Sequence, residues 1–159
     1  MITQFKTLCH VKGLHEQNKL KALRAKRAAV ETALAQEAAQ KRVVAESRAA
    51  LPAKEAALYD AIMQQPVPVE RIDETKQKVL DLQAEHQDHE DEAERLTQIR
   101  IRCETERDEA RVQYQIAQRD LEKFTTIKSD LITQQLQAIE AQEDAEIEDL
   151  FSKKQGIRI

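Results

Sequence analysis

Two groups of histidine and cysteine side chains have residue types and spacing that metal ligands can have. His86 and His89 lie three residues apart among acidic residues, which would place both imidazoles on one face of a helix. Such a pair could supply two of the four ligands that zinc prefers, or form a polar layer in a helix seam that titrates near neutral pH. Cys9, His10 and His15 form the second group, but adjacent residues point to different sides of a helix. We predict no metal site, because the segment expected opposite His86 offers arginine and alanine.

The sequence does not place serine or carboxylate side chains in a pattern typical of catalytic residues. Ser47, Ser129 and Ser152 all fall in segments with helical periodicity, and nothing in the sequence places a histidine beside them. Carboxylates are abundant, but a pair of helices lacks a water-excluding cleft that would shift their pKa values. The chain has only two glycines, too few for the loops that bind nucleotide phosphates. We therefore expect neither enzymatic activity nor a bound cofactor.

Charge is distributed unevenly along the chain. Residues 1–54 carry eleven basic and four acidic side chains, whereas residues 70–150 carry twenty-three acidic and eleven basic ones. The basic run from Lys19 to Arg27 contains no aromatic residue that would stack on bases, so we predict no nucleic-acid partner. Instead we expect the two halves to lie side by side and partly neutralise each other. Exposed ion pairs add little stability, so this asymmetry selects partner and orientation.

The overall composition predicts an all-α fold. Charged residues make up 34% of the chain and aromatic residues 3%, a profile typical of long helices and coiled coils. No Asn-Gly or Asp-Gly dipeptide is present to form a β-hairpin turn. The longest apolar stretch, Ala56–Tyr59, is far shorter than the roughly 20 residues of a membrane span. With two cysteines and no secretory signal, we expect a reduced, cytoplasmic protein without direct membrane insertion.

A proline-rich segment divides the chain into two helices. Pro66 and Pro68 remove two amide donors and disfavour helical backbone at the residues before them. Because the turn is short, the helices should be antiparallel neighbours. We predict one domain, an antiparallel two-helix coiled-coil hairpin shaped as a long rod, with the first helix kinked at residues 51–52 by Pro52. The predicted segments are a helix at about 3–64, a turn at 65–69, a helix at about 69–154 and a short tail at 155–159.

Heptad periodicity predicts which side chains form the seam. In the second helix one line runs from Ile72 to Gln135 and another from Thr75 to Ala145, and beyond Leu131 the apolar stripe shifts to Ile132, Leu136, Ile139, Ile147 and Leu150. In the first helix one line holds Leu23, Val30, Glu37, Val44, Leu51 and Leu58, and the companion line runs from Leu20 through Leu34 to Ile62. The implied register places Arg48 near His86 and Cys9 near residue 125, too far from Cys103 for a disulfide. The second helix then extends about 20 residues beyond the first.

The apolar residues around the proline turn have two interpretations. Ile62, Met63, Val67 and Val69 lie at the far end of a rod, with no core to cover them. Exposed apolar residues in such a place indicate a docking point. They could equally close the turn over each other, and the sequence does not separate the two interpretations.

The whole pattern resembles the YscO/FliJ family of type III secretion and flagellar export proteins. The matching features are the spacing of Phe5, Leu8, Val11, Lys12 and Leu14, the basic alanine-rich first helix, the short turn and the acidic second helix. The resemblance implies a non-enzymatic cytoplasmic stalk at the inner-membrane face of a secretion apparatus. Its implied partners are a hexameric secretion ATPase, the cytoplasmic domain of the export gate, and secretion chaperones that it escorts.

The same resemblance assigns partner-binding residues to the two ends of the rod. The ATPase end comprises basic residues of the first helix beside acidic residues of the second: Lys6, Lys12, Lys19, Lys21, Arg24, Asp144, Glu148 and Asp149. The gate end comprises the turn: Ile62, Met63, Gln64, Gln65, Pro66, Val67, Pro68 and Val69.

Two alternatives unrelated to secretion remain open at the level of the sequence. One is a coiled-coil chaperone or adaptor that clasps client helices with its thin alanine seam. The other is a homodimeric or higher coiled-coil scaffold, in which a second chain thickens the seam. Sedimentation at several concentrations separates the scaffold from a monomeric stalk, and partner recovery separates the adaptor from both.

Overall fold

Two helices account for the fold. The computed structural model describes residues 1–156, in which α1 spans Ile2–Met63 and α2 spans Val69–Gln155, with no strand in that range. The helices pack as a hairpin, which confirms the predicted all-α two-helix fold. The predicted helix ranges were 3–64 and 69–154. Of the predicted tail, residues 157–159 lie outside the described residues.

Local chemistry explains where the helices end. The prolines of the 64–68 turn have no N–H to donate, and the first turn of α2 closes with a hydrogen bond from the Arg71 amide to the Pro68 carbonyl at 3.1 Å. Glu70 lies in the first turn of α2, and two lysines lie in its last turn, as the helix dipole favours. Pro52 lies inside α1, which continues through it. The predicted kink at residues 51–52 stays a prediction.

The chain divides into two compact units. One contains residues 1–23 and the residues from 110 onward, and the other contains residues 24–109. Each unit contains a segment of α1 and a segment of α2. The expectation of a single domain therefore stays a prediction, and the contacts below are given within each unit.

The predicted seam of α2 is confirmed up to Leu131, whereas the last members of its two lines, Gln135, Ala138 and Ala145, are exposed. Every member of the lines from Ile72 to Lys128 and from Thr75 to Leu131 is buried or half-buried, including Leu96 near the middle. Residues 133–156 are all exposed. We call residues 133–155 of α2 the overhang. It confirms the predicted extension of α2, because Cys9, near the start of α1, already lies beside Phe124.

The seam of α1 is confirmed in one line and wrong in the middle of the other. Leu23, Val30 and Glu37 are buried, as predicted. The companion line is half-buried at its two ends, but Leu34 is 45% exposed and Ala33 is buried in its place. One residue turns the side chain about 100° around the helix, so between residues 26 and 48 α1 is rotated relative to the prediction. The second inner line of α1 thus contains Lys26, Ala33, Gln40 and Ser47. Its three polar members form hydrogen bonds with residues of α2.

Gly13 offers a simple gain in stability. A Cβ built at this position meets no atom within 4 Å, and the backbone has no positive φ. Glycine inside a helix costs about 1 kcal/mol relative to alanine. We expect Gly13→Ala to raise the free energy of unfolding by about 1 kcal/mol in urea titrations followed by far-UV circular dichroism. Gly156→Ala, which lies past the end of α2, is the control and should change little. A loss of stability in Gly13→Ala would contradict the open space at this position.

Candidate partner-binding surfaces

The basic residues near the start of α1 are only partly available to a partner. Lys12 is half-buried, its Nζ lying 3.5 Å from Asp120 Oδ2 and 5.3 Å from the centroid of the Phe124 ring. Lys19 is also half-buried, and the others of the predicted set are exposed: Lys6, Lys21 and Arg24. Lys12 therefore forms an ion pair within the protein, in which Asp120 balances its charge.

The predicted acidic partners of these bases lie elsewhere. Asp144, Glu148 and Asp149 are exposed on the overhang, and Asp149 Oδ2 lies 3.6 Å from Lys153 Nζ. Since Lys12 faces Asp120, the predicted acids begin about 36 Å further along α2 at 1.5 Å per residue. The expectation that the basic and acidic residues lie beside each other is therefore wrong, because α1 begins too late to reach the overhang.

A notch lies between the helices at Gly13. It has a volume of about 410 Å³, and Lys6 and Lys128 lie among its lining residues. Cys9 is buried there and donates to the Phe124 carbonyl at 3.3 Å, which places it where the sequence predicted. His10 and His15, the other two members of the candidate group, are exposed. Within residues 1–156 no three His, Cys, Asp or Glu side chains form a group suited to a metal ion.

The proline turn divides its apolar residues between two environments. Ile62 and Val67 are half-buried, whereas Met63 is 80% exposed and Val69 69% exposed. The remaining residues of the predicted gate end are all exposed: Gln64, Gln65, Pro66 and Pro68. The half-burial of Ile62 and Val67 agrees with the interpretation in which they close the turn, whereas docking through Met63 and Val69 stays a prediction.

A chain of hydrogen bonds crosses the seam at His86. Its Nδ1 lies 2.9 Å from Ser47 Oγ and its Nε2 lies 3.1 Å from Glu90 Oε1, while Arg48 donates to Glu90 at 2.7 Å. The hydrogen bond from Arg48 lowers the pKa of Glu90, and the nearby His86 adds to the effect. This confirms the predicted polar layer near Arg48. The expectation that no histidine lies beside a serine is wrong at Ser47, because the register brings the two helices together there.

The order serine, histidine, carboxylate matches that of a hydrolase triad, but the surroundings differ. A triad needs free backbone amides aimed at the oxyanion, typically beside the nucleophile. Ser47 lies deep inside α1, where amides donate to carbonyls of the preceding turn. The geometry therefore supports a polar packing layer.

A second polar layer is centred on the buried carboxylate of Glu37, which is only 4% exposed. It pairs with Arg100, accepts from Thr97 at 3.1 Å and lies 2.8 Å from Lys41 Nζ. The hydrogen bond from Lys41 lowers the pKa of Glu37, and those from Thr97 and Arg100 lower it further. Arg100 also bonds Glu104 at 3.0 Å. In the part of the chain that the structure describes, no buried side-chain nitrogen or oxygen lacks a partner.

The Glu37 layer was missed at the level of the sequence, although a signal was present. Glu37 is the one break in an apolar line of α1, and Arg100 is polar in the facing line of α2. A slide of α2 along α1 would take Arg100 and Thr97 away from the buried carboxylate of Glu37 and leave only Lys41 of the same helix, which is costly. The layer therefore specifies the register, as polar residues in coiled-coil seams do.

These features define a structural class, the antiparallel two-helix hairpin with polar layers in its seam. No helix within residues 1–156 has the length and apolar character needed to cross a bilayer. The sequence profile of the family described as type III secretion protein YscO matches residues 5–153. The chain belongs to this family.

Structural comparison agrees with the family assignment. The crystal structure of type III secretion protein YscO from Vibrio parahaemolyticus at 2.8 Å is similar, with a TM-score of 0.87. It shares 18% sequence identity, and the match covers 93% of each chain. At this identity the likeness shows the fold alone. No curated protein sequence matches significantly.

Family membership confirms the resemblance to YscO. The chain is a component of type III secretion, in a family of structural or adaptor proteins that is not a known family of enzymes.

Proposed function

We propose that the chain is the non-enzymatic central stalk of the hexameric export ATPase, cytoplasmic and placed at the inner-membrane face of the secretion apparatus. The observation that supports this most is the overhang, in which α2 continues as a single uncovered helix. A single helix is about 10–12 Å across with its side chains, so the overhang can enter an opening narrower than the paired helices need.

The ATPase end is proposed to bind mainly through exposed charge. Its exposed residues are Lys6, Lys21 and Arg24 in α1 and Asp144, Glu148 and Asp149 on the overhang, and the half-buried Lys12 and Lys19 belong to the same set. Contacts between exposed charges are individually weak and are screened by salt. A stalk that changes its position in a ring benefits from such contacts, since a large apolar interface would hold it in one place.

The gate end is proposed to bind through the turn. Met63 and Val69 present apolar side chains to solvent, while Ile62 and Val67 support the turn from inside. The cytoplasmic domain of the export gate is the proposed partner of this end. Escort of secretion chaperones, which the family resemblance implies, is part of the same proposal.

Reversing three charges tests the ATPase end. We expect Lys19→Glu, Lys21→Glu and Arg24→Glu together to weaken binding to the cognate hexameric ATPase about tenfold, because attraction becomes repulsion at three sites. Stimulation of ATP hydrolysis should fall in parallel, while the far-UV circular dichroism spectrum stays unchanged. The matched control reverses three other exposed bases, in Arg42→Glu, Lys54→Glu and Lys76→Glu, and should retain stimulation.

Other outcomes would contradict this assignment. Unchanged binding and stimulation in the first triple variant would remove the basic segment from the ATPase contact. Collapse of helicity would show that these residues serve the pairing of α1 with α2. An equal loss in the control variant would show that net charge, and not a local contact, controls binding.

A further inference from the structure

An uncovered apolar stripe lies along the overhang. Leu136, Ile139, Ile147, Leu150 and Phe151 are between 46% and 66% exposed. Their spacing places them on one face of α2, turned about 90° around the helix from the seam that ends at Leu131. A shallow notch of about 330 Å³ opens near the end of this stripe, between Phe151 and its apolar neighbours. The stripe is therefore an apolar helix face that no second helix covers.

Acidic residues interrupt and border the stripe. By helical spacing, Glu140 and Glu143 fall between its two apolar halves, and Asp144 and Glu146 border it on opposite sides. Residues 133–152 contain no lysine or arginine. An occupant must therefore neutralise carboxylates as well as cover apolar side chains.

The covered part of α2 shows which kind of helix meets these demands. There the acids of α2 pair across the seam with bases of α1, as in Lys12–Asp120 at 3.5 Å and Lys26–Glu106 at 2.8 Å. The hydrogen bond with Glu106 raises the pKa of Lys26, so its charge is maintained. The cover that α2 uses elsewhere is thus a basic, alanine-rich helix with apolar residues at heptad spacing.

We propose that the overhang is a docking site for a basic amphipathic helix, about 20 residues long, from another protein. The helix would cover this face as α1 covers the seam, and a base on it would face Glu140 and Glu143 as Arg100 faces Glu37. A second copy of the overhang would set acid against acid, and an anionic membrane would be repelled by the same carboxylates. This inference does not rest on the stalk proposal, and a docked helix and an uncovered overhang inside the ring exclude each other at any one time.

The test uses a peptide with the chemistry of α1. A fluorescein-labelled peptide with the sequence of residues 14–34 carries five bases and two acids. We expect it to bind the full chain saturably and with one-to-one stoichiometry, as measured by fluorescence anisotropy. Leu136→Gln, Ile139→Gln and Leu150→Gln together should weaken binding at least about tenfold, because three apolar contacts are lost. These side chains are exposed, so the hairpin should keep its helicity.

Two controls isolate the site and the charge. Leu80→Gln, Ile101→Gln and Val112→Gln together change three exposed apolar residues of α2 outside the overhang and should leave the affinity unchanged. A peptide with its five bases replaced by glutamate should bind at least about tenfold more weakly.

The proposal is overturned if the first peptide fails to bind, binds the overhang variant equally, or is matched by the acidic peptide. It is also overturned if sedimentation shows a dimer that the overhang variant abolishes, or if anionic vesicles bind the chain through the same residues. No ATPase is present in these assays. Loss of peptide binding with normal stimulation of the ATPase would refute only the docking site, and the reverse would refute only the stalk.

Discussion

Leu23→Ala is expected to lower the free energy of unfolding by about 3 kcal/mol, the largest effect of any single apolar truncation in the described chain. Leu23 is 2% exposed and is the largest fully buried side chain among the described residues. Most seam positions hold alanine or half-buried polar residues, so few side chains remove much apolar area from water. Truncating Leu23 therefore removes a large share of that area and leaves a cavity. Urea titration followed by far-UV circular dichroism measures the loss.

Leu34→Ala is the matched control, with the same chemistry on the same helix. Leu34 is half exposed, so its truncation should cost less than about 1 kcal/mol. Equal losses in the two variants would contradict the observed rotation of α1 and favour the companion line that the sequence predicted.

The second large effect is expected from Arg100→Leu. This change removes the cation that reaches Glu37 across the seam, leaving Lys41 on the same helix and Thr97 as its partners. Breaking a buried pair on one side is strongly destabilising, because the remaining charge stays desolvated. We expect a clear fall in the thermal midpoint at neutral pH. The double variant Glu37→Leu, Arg100→Leu should recover most or all of it, since an apolar pair needs no counter-charge.

The effect of Arg100→Leu on stability should depend on pH. The pKa of Glu37 is lowered in the folded protein, so its ionised form adds stability that is present above the ordinary carboxyl range and is lost as pH falls through the lowered value. Without Arg100 the pKa of Glu37 rises. The difference between wild type and Arg100→Leu should therefore be largest at neutral pH and shrink in acid. A difference that stays constant down to acid pH would show that Arg100 acts through packing and not through Glu37.

Much of the fold could be predicted because its causes are local. The prolines at 66 and 68 end a helix by removing donors, whatever surrounds them. The two lines of α2 follow from a seven-residue period that continues for many turns, and all their members up to Leu131 proved buried or half-buried. The overhang followed from the lengths of the two helices on either side of the turn.

The candidate surfaces were less predictable, since they depend on how the helices meet. The sequence predicted that α2 extends beyond α1 and that Met63 and Val69 lie at the turn without a core to cover them. It placed the acids of the overhang beside Lys6 and Lys12, however, and this was wrong. They are separated because α1, whose Cys9 already lies beside Phe124, begins too late to reach the overhang. Likewise Ser47 and His86 belong to different helices, and only the register brings them within hydrogen-bond distance.

The sequence by itself determined two helices, the turn between them, the inner face of α2 and the unequal charge of the halves. Only the tertiary structure decided the rotation of α1, which buries Ala33 and exposes Leu34, and the pairing of Glu37 with Arg100. The reason is that several faces of an alanine-rich helix bury similar apolar area, so apolar burial alone does not choose among them. The choice depends on polar side chains finding partners across the seam, and those partners are far apart in the sequence.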